Sequence, residues 1–361
     1  MKVEITGTGT IGWPLAGMCC AFRKQFGIDE VIVHKNTPTE QDIPMIRRLV
    51  KRGGAKLCVH SDKVDAFKEM GFPKVTYPSF REALFAADII IDCTPNGTAR
   101  KHKEEHYRQV AGDNADKLFV AQGSEHGFGV KYMLDINDNK VYDPEQQFYQ
   151  VVSCNTHAIT RLLYTVGLHD GAKPDNIEHA FAECMRRATD ISQKGSFVPS
   201  PEFGKHKDER FGTHHARDAY EVLETIGIKV PVFSTAVKLP TQYMHATTLR
   251  MILKEPDTRE AILERLHANQ LIAMTKLNNS AQVFSRGRDD GFDGRIFNQA
   301  VVYKDSLFVS PDGKTVIINS FTPQDGNSLL SSISLVVRKI NPVNWHEVLY
   351  KTLDKWIFTG L

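Results

Sequence analysis

The sequence predicts an α/β protein: a doubly wound domain with a parallel sheet, followed by an α+β domain with a mostly antiparallel sheet. Three observations carry this. Short apolar strands alternate with helical segments through the first third of the chain. A glycine-rich turn follows the first strand directly. After Cys154 the rhythm changes to longer strands.

Val3-Glu4-Ile5 reads as the first strand, and Pro14 to Phe26 as a helix with its proline in the tolerant first turn. Val31-Ile32-Val33-His34 is the second strand. Lys56–Val59 and Val75-Thr76 are weaker strands. Ala87–Asp92 is a buried strand that ends in the turn Cys93-Thr94-Pro95-Asn96-Gly97. Leu118–Ala121 is a further strand that runs into Gln122-Gly123-Ser124, and Phe148–Val152 leads into Ser153-Cys154-Asn155. In the second half, Val230–Leu239, Thr247–Leu253, Gln299–Val302 and Thr315–Asn319 are strands, and Glu260–Leu271 is a helix. Lys194–Arg217, dense in Pro, Gly, His and Lys, reads as loop. Ser328–Ile340 and His346–Trp356 read as helices that return to the first domain.

The 361 residues suffice for two cores. Charge is nearly balanced at +2, which argues against a nucleic-acid partner or an acidic membrane surface. No apolar run is long enough to span a bilayer, and the N-terminus reads as a strand, not a signal peptide. The six cysteines show no CxxC spacing and suit reduced thiols in a cytoplasm.

Gly7-Thr8-Gly9-Thr10-Ile11-Gly12 fits G-x-G-x-x-G between a strand and a helix. The glycines allow a tight turn and close backbone approach, so a pyrophosphate can rest on the helix N-terminus. Such loops also occur as plain turns; the strand–turn–helix setting favours dinucleotide binding. An NAD site usually places an acid at the end of the second strand. Here the run is His34-Lys35-Asn36-Thr37. Lys35 suits the 2′-phosphate of NADP, with NAD as the alternative; the plain reading is a solvated lysine.

Cys154 falls where a strand-like run gives way to a helix-like one, with Ile159, Leu162, Leu163 and Val166 at helical spacing. A thiol at a helix N-terminus is favoured as thiolate. The bland reading is one more buried cysteine. Behind a dinucleotide domain, a nucleophilic cysteine points to aldehyde or acyl chemistry through a thioester, which needs a general base and an anion site. Candidate bases are His245 and the adjacent pair His214 and His215, read as loop residues. Arg186 and Arg187 suit phosphate. No further His or Cys lies at ligand spacing from the paired histidines, so no metal is expected.

Together these pieces resemble the archaeal-type (class II) glyceraldehyde-3-phosphate dehydrogenases. The match is carried by Gly9–Gly12, Ala87–Pro95, Gln122–Glu125, Val151–Thr156, Arg186–Asp190, His214-His215 and Pro240–His245, in the family's order. The resemblance implies a Rossmann-like dinucleotide-binding domain over residues 1–152, completed by C-terminal helices at about 328–361, and a catalytic domain over 153–327. It implies Cys154 as nucleophile, His245 as base, and Ser153, Asn155, Arg186, Arg187, His214 and His215 around substrate and phosphate. Gly7, Gly9, Thr10, Ile11, Gly12, Lys35, Thr94, Pro95, Gly123, Ser124, Arg187 and Gln324 would hold NADP or NAD. It further implies phosphorylating oxidation of glyceraldehyde 3-phosphate to 1,3-bisphosphoglycerate by a cytoplasmic homotetramer, with a small-molecule substrate and inorganic phosphate as partners.

Three stretches depart from the family's pattern. Gly-Gly-Glu is Gly123-Ser124-Glu125 here, Gly-Pro-Asp after the paired histidines is Ala216-Arg217-Asp218, and His-Gln-Glu-Ser is Pro323-Gln324-Asp325-Gly326. The rival readings are a semialdehyde or acyl-phosphate reductase with the same cysteine chemistry, and a non-catalytic nucleotide-binding regulatory protein.

Overall fold

The computed structural model describes residues 1–189, 195 and 197–361. The chain divides into two compact units. The first comprises residues 1–130, 142–151 and 331–353, and the second residues 131–141, 152–330 and 354–361.

Seven strands of an eight-stranded sheet lie in the first unit, and the eighth, Val130–Tyr132, runs out of it after Val130. In chain order the strands are β1 (Lys2–Thr6), β2 (Glu30–His34), β3 (Lys56–Cys58), β4 (Val75–Tyr77), β5 (Ile89–Asp92), β6 (Leu118–Gln122), β7 (Val130–Tyr132) and β8 (Phe148–Val151). Their spatial order is β4-β3-β2-β1-β5-β6-β8-β7. Every pairing from β4 through to β8 is parallel. Burial on both faces explains why the central strands are continuously apolar, as in Ile89-Ile90-Ile91. The chain reverses outward from β1 to β4 and then restarts at β5, so β1 and β5 flank the switch point where such sheets bind ligands. The helix that follows β1 spans Gly12–Ala21, and Arg23–Phe26 is a separate short turn of helix, so the expected Pro14–Phe26 helix is broken at Phe22.

The second unit carries β9 (Ile177–Arg186), β10 (Glu202–Phe203), β11 (Val232–Lys238), β12 (His245–Leu253), β13 (Ile272–Thr275), β14 (Ala300–Tyr303), β15 (Phe308–Val309) and β16 (Thr315–Thr322). Their order is β10-β11-β9-β12-β16-β14-β13, with β15 beside β16. The sheet is mixed. The β9–β12, β12–β16 and β14–β16 pairs are antiparallel, but β9–β11 and β13–β14 are parallel. One face packs against the helices Cys154–Leu162 and His214–Glu224. Ala180, Ala182, Cys184, Leu249, Met251 and Ile318 from the strands meet Ala158, Leu162, Ala219 and Leu223 from the helices.

Two expectations are corrected here. The Lys194–Arg217 loop contains β10, and its last residues open the helix His214–Glu224, which Thr213 caps by accepting from the His215 N–H. Lys194 itself, like Asp190 and Ser196, lies outside the described residues. His245 is not in a connection but is the first residue of β12. The helices near the C-terminus run Leu329–Ile340 and Trp345–Leu353. Among the described residues, no helix is long and apolar enough to cross a membrane.

Candidate active site

In the first unit the glycine turn has the geometry its spacing implies. Gly7 sits at φ +88°, a conformation costly for any side chain. A Cβ on Gly12 would lie 1.9 Å from the Gly7 carbonyl oxygen, so the helix can start against the turn only with glycine there. A Cβ on Gly9 would meet nothing within 4 Å, leaving that edge of the turn open to a ligand. The helix Gly12–Ala21 has no side-chain cap at Ile11; Trp13 N–H donates to the Gly9 carbonyl at 3.0 Å and Pro14 has no N–H, so the Gly12 amide is what the helix's first turn offers an anion. This cradle fits a pyrophosphate.

Two neighbouring turns are tied together. The buried Asp92 carboxylate accepts from the Thr94 N–H at 2.9 Å and from its hydroxyl, from Tyr107 at 2.6 Å, and faces His102 Nδ1 at 2.7 Å. These bonds shape the turn that carries Thr94 and the exposed Pro95. Glu125, just beyond Gly123 and Ser124, accepts from the backbone N–H groups of Gly97 and Arg100 and so caps the helix after that turn. Gln150 donates to the Gly123 carbonyl at 2.8 Å. At the end of β2, Lys35 Nζ pairs with Asp42 at 2.6 Å.

In the second unit, Cys154 is the first residue of the helix Cys154–Leu162, with Ser153 at its N-cap. The Ser153 hydroxyl meets Thr156 Oγ1 at 2.9 Å and no side chain caps the backbone, so the partly exposed Cys154 begins a helix whose dipole is not covered by a side-chain cap. Two groups hold this corner. His157 Nδ1 donates to the Ser153 carbonyl at 3.0 Å, and Asn327 Nδ2 donates to the Cys154 carbonyl at 2.9 Å. His157 is fully buried, and that burial pushes its pKa down to about 4.

Asn155 leads to the histidines. Its Nδ2 lies 3.4 Å from His215 Nε2, and its Oδ1 is buried with no hydrogen-bond partner. The His214 and His215 rings lie with centroids 3.9 Å apart, tilted by 38°. His215 Nδ1 lies 3.0 Å from Thr213 Oγ1, which in turn lies 2.6 Å from Ser234 Oγ. Burial holds the His215 pKa well below its ordinary value, with His214, Arg186 and His245 adding repulsion. His214 is lowered mainly by burial as well, opposed by Asp218.

Arg186 ends β9, exposed, and the next residue turns inward. The Arg187 guanidinium is buried on Asp325 at 2.9 Å, and the Arg187 backbone N–H donates to His245 Nδ1 at 2.9 Å. The His245 backbone N–H donates to Gln324 Oε1 at 3.0 Å, while Gln324 Nε2 is buried with no partner. Burial, then Arg187 and Arg186, hold His245 well below the usual histidine range. The second unit therefore brings together Asn155, His214, His215, Arg186, Arg187, His245 and Gln324, and places Ser153 and Cys154 on the helix that carries Asn155. The orphaned amide atoms of Asn155 and Gln324 show polar capacity left for a ligand or water.

No family model matches the chain. Among curated proteins it is 27% identical over 321 residues to a glyceraldehyde-3-phosphate dehydrogenase of Pyrobaculum calidifontis, covering 86% of this chain and 85% of that one. It is 27% identical over 320 residues to the enzyme of that name from Sulfurisphaera tokodaii, covering 86% and 84%. It is 28% identical over 323 residues to that from Pyrobaculum islandicum, with the same coverage. The likeness spans most of each chain.

Sequence reasoning missed His157, Asn327, Thr213 and Ser234. His157 lies inside the Ser153–Ala158 run, and its helical spacing from Ser153 was the available signal. The others act through contacts that only folding creates.

Proposed function

We propose that the chain is a phosphorylating glyceraldehyde-3-phosphate dehydrogenase, converting D-glyceraldehyde 3-phosphate and inorganic phosphate to 1,3-bisphosphoglycerate with NADP or NAD. The observation that carries this is Cys154 at an uncapped helix N-terminus, in the same unit as the His214, His215, His245 and Arg186–Arg187 set. The similarity to dehydrogenases of that name supports it.

The Cys154 thiolate attacks the aldehyde carbon to give a thiohemiacetal, with Ser153 and Asn155 beside the substrate. A neighbouring imidazole, His245 or one of the pair His214 and His215, takes the hydroxyl proton as the thioester forms. Arg186 and Arg187 attract the phosphate groups, and phosphate finally expels the thiolate. When bound, NADP or NAD accepts the hydride. Gly7–Gly12 would hold its pyrophosphate, with Thr94, Pro95, Gly123 and Ser124 in the same unit; Gln324 and Arg187 are assigned to it by the family resemblance alone. Lys35 would meet a 2′-phosphate. The free cysteines suit a reducing cytoplasm, and the uncovered sheet face bearing Phe181 and Arg250 suits a homotetramer.

The test is nicotinamide absorbance with glyceraldehyde 3-phosphate, NADP against NAD, with and without inorganic phosphate, for wild type and Cys154→Ser. Phosphate-dependent reduction that vanishes in the variant supports the reading. An inactive wild type that still binds the nucleotide would sink it.

A further inference from the structure

We infer that His245 serves the site as a neutral hydrogen-bond donor through Nε2, and that the proton-accepting imidazole is His215. This rests on the thioester reading above. It divides the labour between two rings that the sequence leaves interchangeable.

The partner of each Nδ1 decides the matter. At His245 that partner is the backbone N–H of Arg187, 2.9 Å away. A peptide N–H can only donate, so Nδ1 must present its lone pair. The single proton of the neutral ring then sits on Nε2. A ring in that state has no lone pair with which to take a proton from substrate. Charging it would place a proton on Nδ1, directly against the Arg187 N–H. The surroundings reinforce this: the ring is buried, and the two neighbouring cationic groups are the Arg187 and Arg186 guanidiniums. The backbone at both ends of the contact is fixed. Arg187 is anchored through the Ala188 N–H on the Thr241 carbonyl at 2.7 Å, and His245 through Gln324.

At His215 the Nδ1 partner is a hydroxyl. Thr213 Oγ1, 3.0 Å away, can accept from or donate to the ring, and Ser234 Oγ, 2.6 Å beyond, can turn with it. Asn155 Nδ2, 3.4 Å from His215 Nε2, can only donate, so the neutral ring carries its lone pair on Nε2, and when that nitrogen gains a proton the Asn155 amide turns its unpartnered Oδ1 toward it. Asn155, which faces this nitrogen, adjoins Cys154 in the helix Cys154–Leu162.

The roles follow. As the Cys154 sulfur–carbon bond forms, the carbonyl π pair moves onto oxygen, and His245 Nε2–H donates to that developing oxyanion. As the thiohemiacetal is oxidised, its O–H bond breaks toward His215 Nε2. The freed pair becomes the thioester carbonyl π bond, and the hydride leaves to the nicotinamide as proposed above. Thr213 Oγ1 then accepts from the Nδ1–H of the charged His215 ring.

Neutron diffraction from perdeuterated wild-type crystals tests the proton placement directly. Deuterium on His245 Nε2 with none on Nδ1 is expected, and deuterium on Nδ1 overturns the inference. Turnover of glyceraldehyde 3-phosphate tests the roles. His245→Ala should lose ~10²- to 10³-fold in kcat, and His245→Gln, which keeps an N–H donor but no base, should recover at least about tenfold of that. His215→Gln should lose ~10²- to 10⁴-fold, and added imidazole should restore part of the loss for His215→Ala but not for His245→Ala. Equal losses in His245→Gln and His245→Ala, or imidazole rescue at 245, would assign the base to His245 instead. A wild type with no turnover would remove the dehydrogenase reading, while the neutron map would still decide the protonation of His245.

Discussion

Lys35 Nζ lies 2.6 Å from Asp42 Oδ2, so the lysine that the sequence offers to a 2′-phosphate already has an acid as its partner. Thr39 also donates its hydroxyl to that carboxylate. A nucleotide phosphate must compete with Asp42 for Lys35. Replacing Asp42 by Asn should lower the KM for NADP by about 2- to 5-fold and leave that for NAD unchanged, because partly exposed charge pairs are worth little each. Steady-state kinetics with both nucleotides check this. A parallel change for NAD would show that Lys35 does not discriminate.

Asn327 Nδ2 serves two carbonyls, those of Cys154 at 2.9 Å and Gln299 at 3.0 Å. Gln299 in turn accepts from the fully buried Arg161 at 2.7 Å. Asn327→Ala leaves both acceptors without this donor and should cost about 1 to 3 kcal/mol in denaturant unfolding. It should also loosen the corner that carries the thiol, seen as a changed rate of Cys154 alkylation. An unaltered rate would mean that the helix amides alone set the thiol's environment.

Glu4 lies fully buried in β1, and burial raises its carboxyl pKa to about 8, with Asp92 adding to the rise and Thr6 and Lys117 opposing it. The folded chain therefore holds a proton that the unfolded chain gives up near the ordinary carboxyl value. The stability from this proton is complete below about pH 4.5 and is lost as pH rises toward about 8. Glu4→Gln should gain on wild type across that window. Urea midpoints measured at about pH 5 and about pH 8 give the comparison, and parallel shifts for both proteins would exclude the effect.

His157 works in the opposite direction. Its folded pKa, about 4, lies below the unfolded value, so its contribution is complete above about pH 6.5 and lost as pH falls toward 4. Acidification through this range should cost wild type up to about 3 kcal/mol more than His157→Gln, whose amide can still donate to the Ser153 carbonyl. The same urea series extended to acid reads this out.

The parts of the fold most legible in the sequence were those whose burial writes a pattern. Ile89–Asp92 and Leu118–Gln122 are apolar on both faces because both faces are covered. The glycine turn was legible because Gly7 and Gly12 answer steric demands no other residue meets. β9 was not legible. Its inward positions are Ala180, Ala182 and Cys184, small residues chosen by close helix packing, and Glu and Ala in the run carry no strand preference. The helix His214–Glu224 was obscured by its polar start, although Thr213 and the buried Ala216, Ala219, Tyr220 and Leu223 mark it in retrospect. At the candidate site, residue types pointed to Cys154, the histidines and the arginines. The pairing of a peptide N–H at 187 with a ring at 245 has no trace in any local pattern.

That last contact has a consequence for how the site can change. The group that fixes the His245 ring belongs to the main chain, so it is present whatever side chain stands at position 187. On the proposed reading, charge, length and hydrogen bonding of that side chain can drift, and with them the preference for one anionic substrate over another, while the ring keeps its tether. Proline alone, lacking the N–H, would abolish the tether outright. On that reading substrate choice and proton placement are separable traits carried by one residue, the first in its guanidinium and the second in its peptide group.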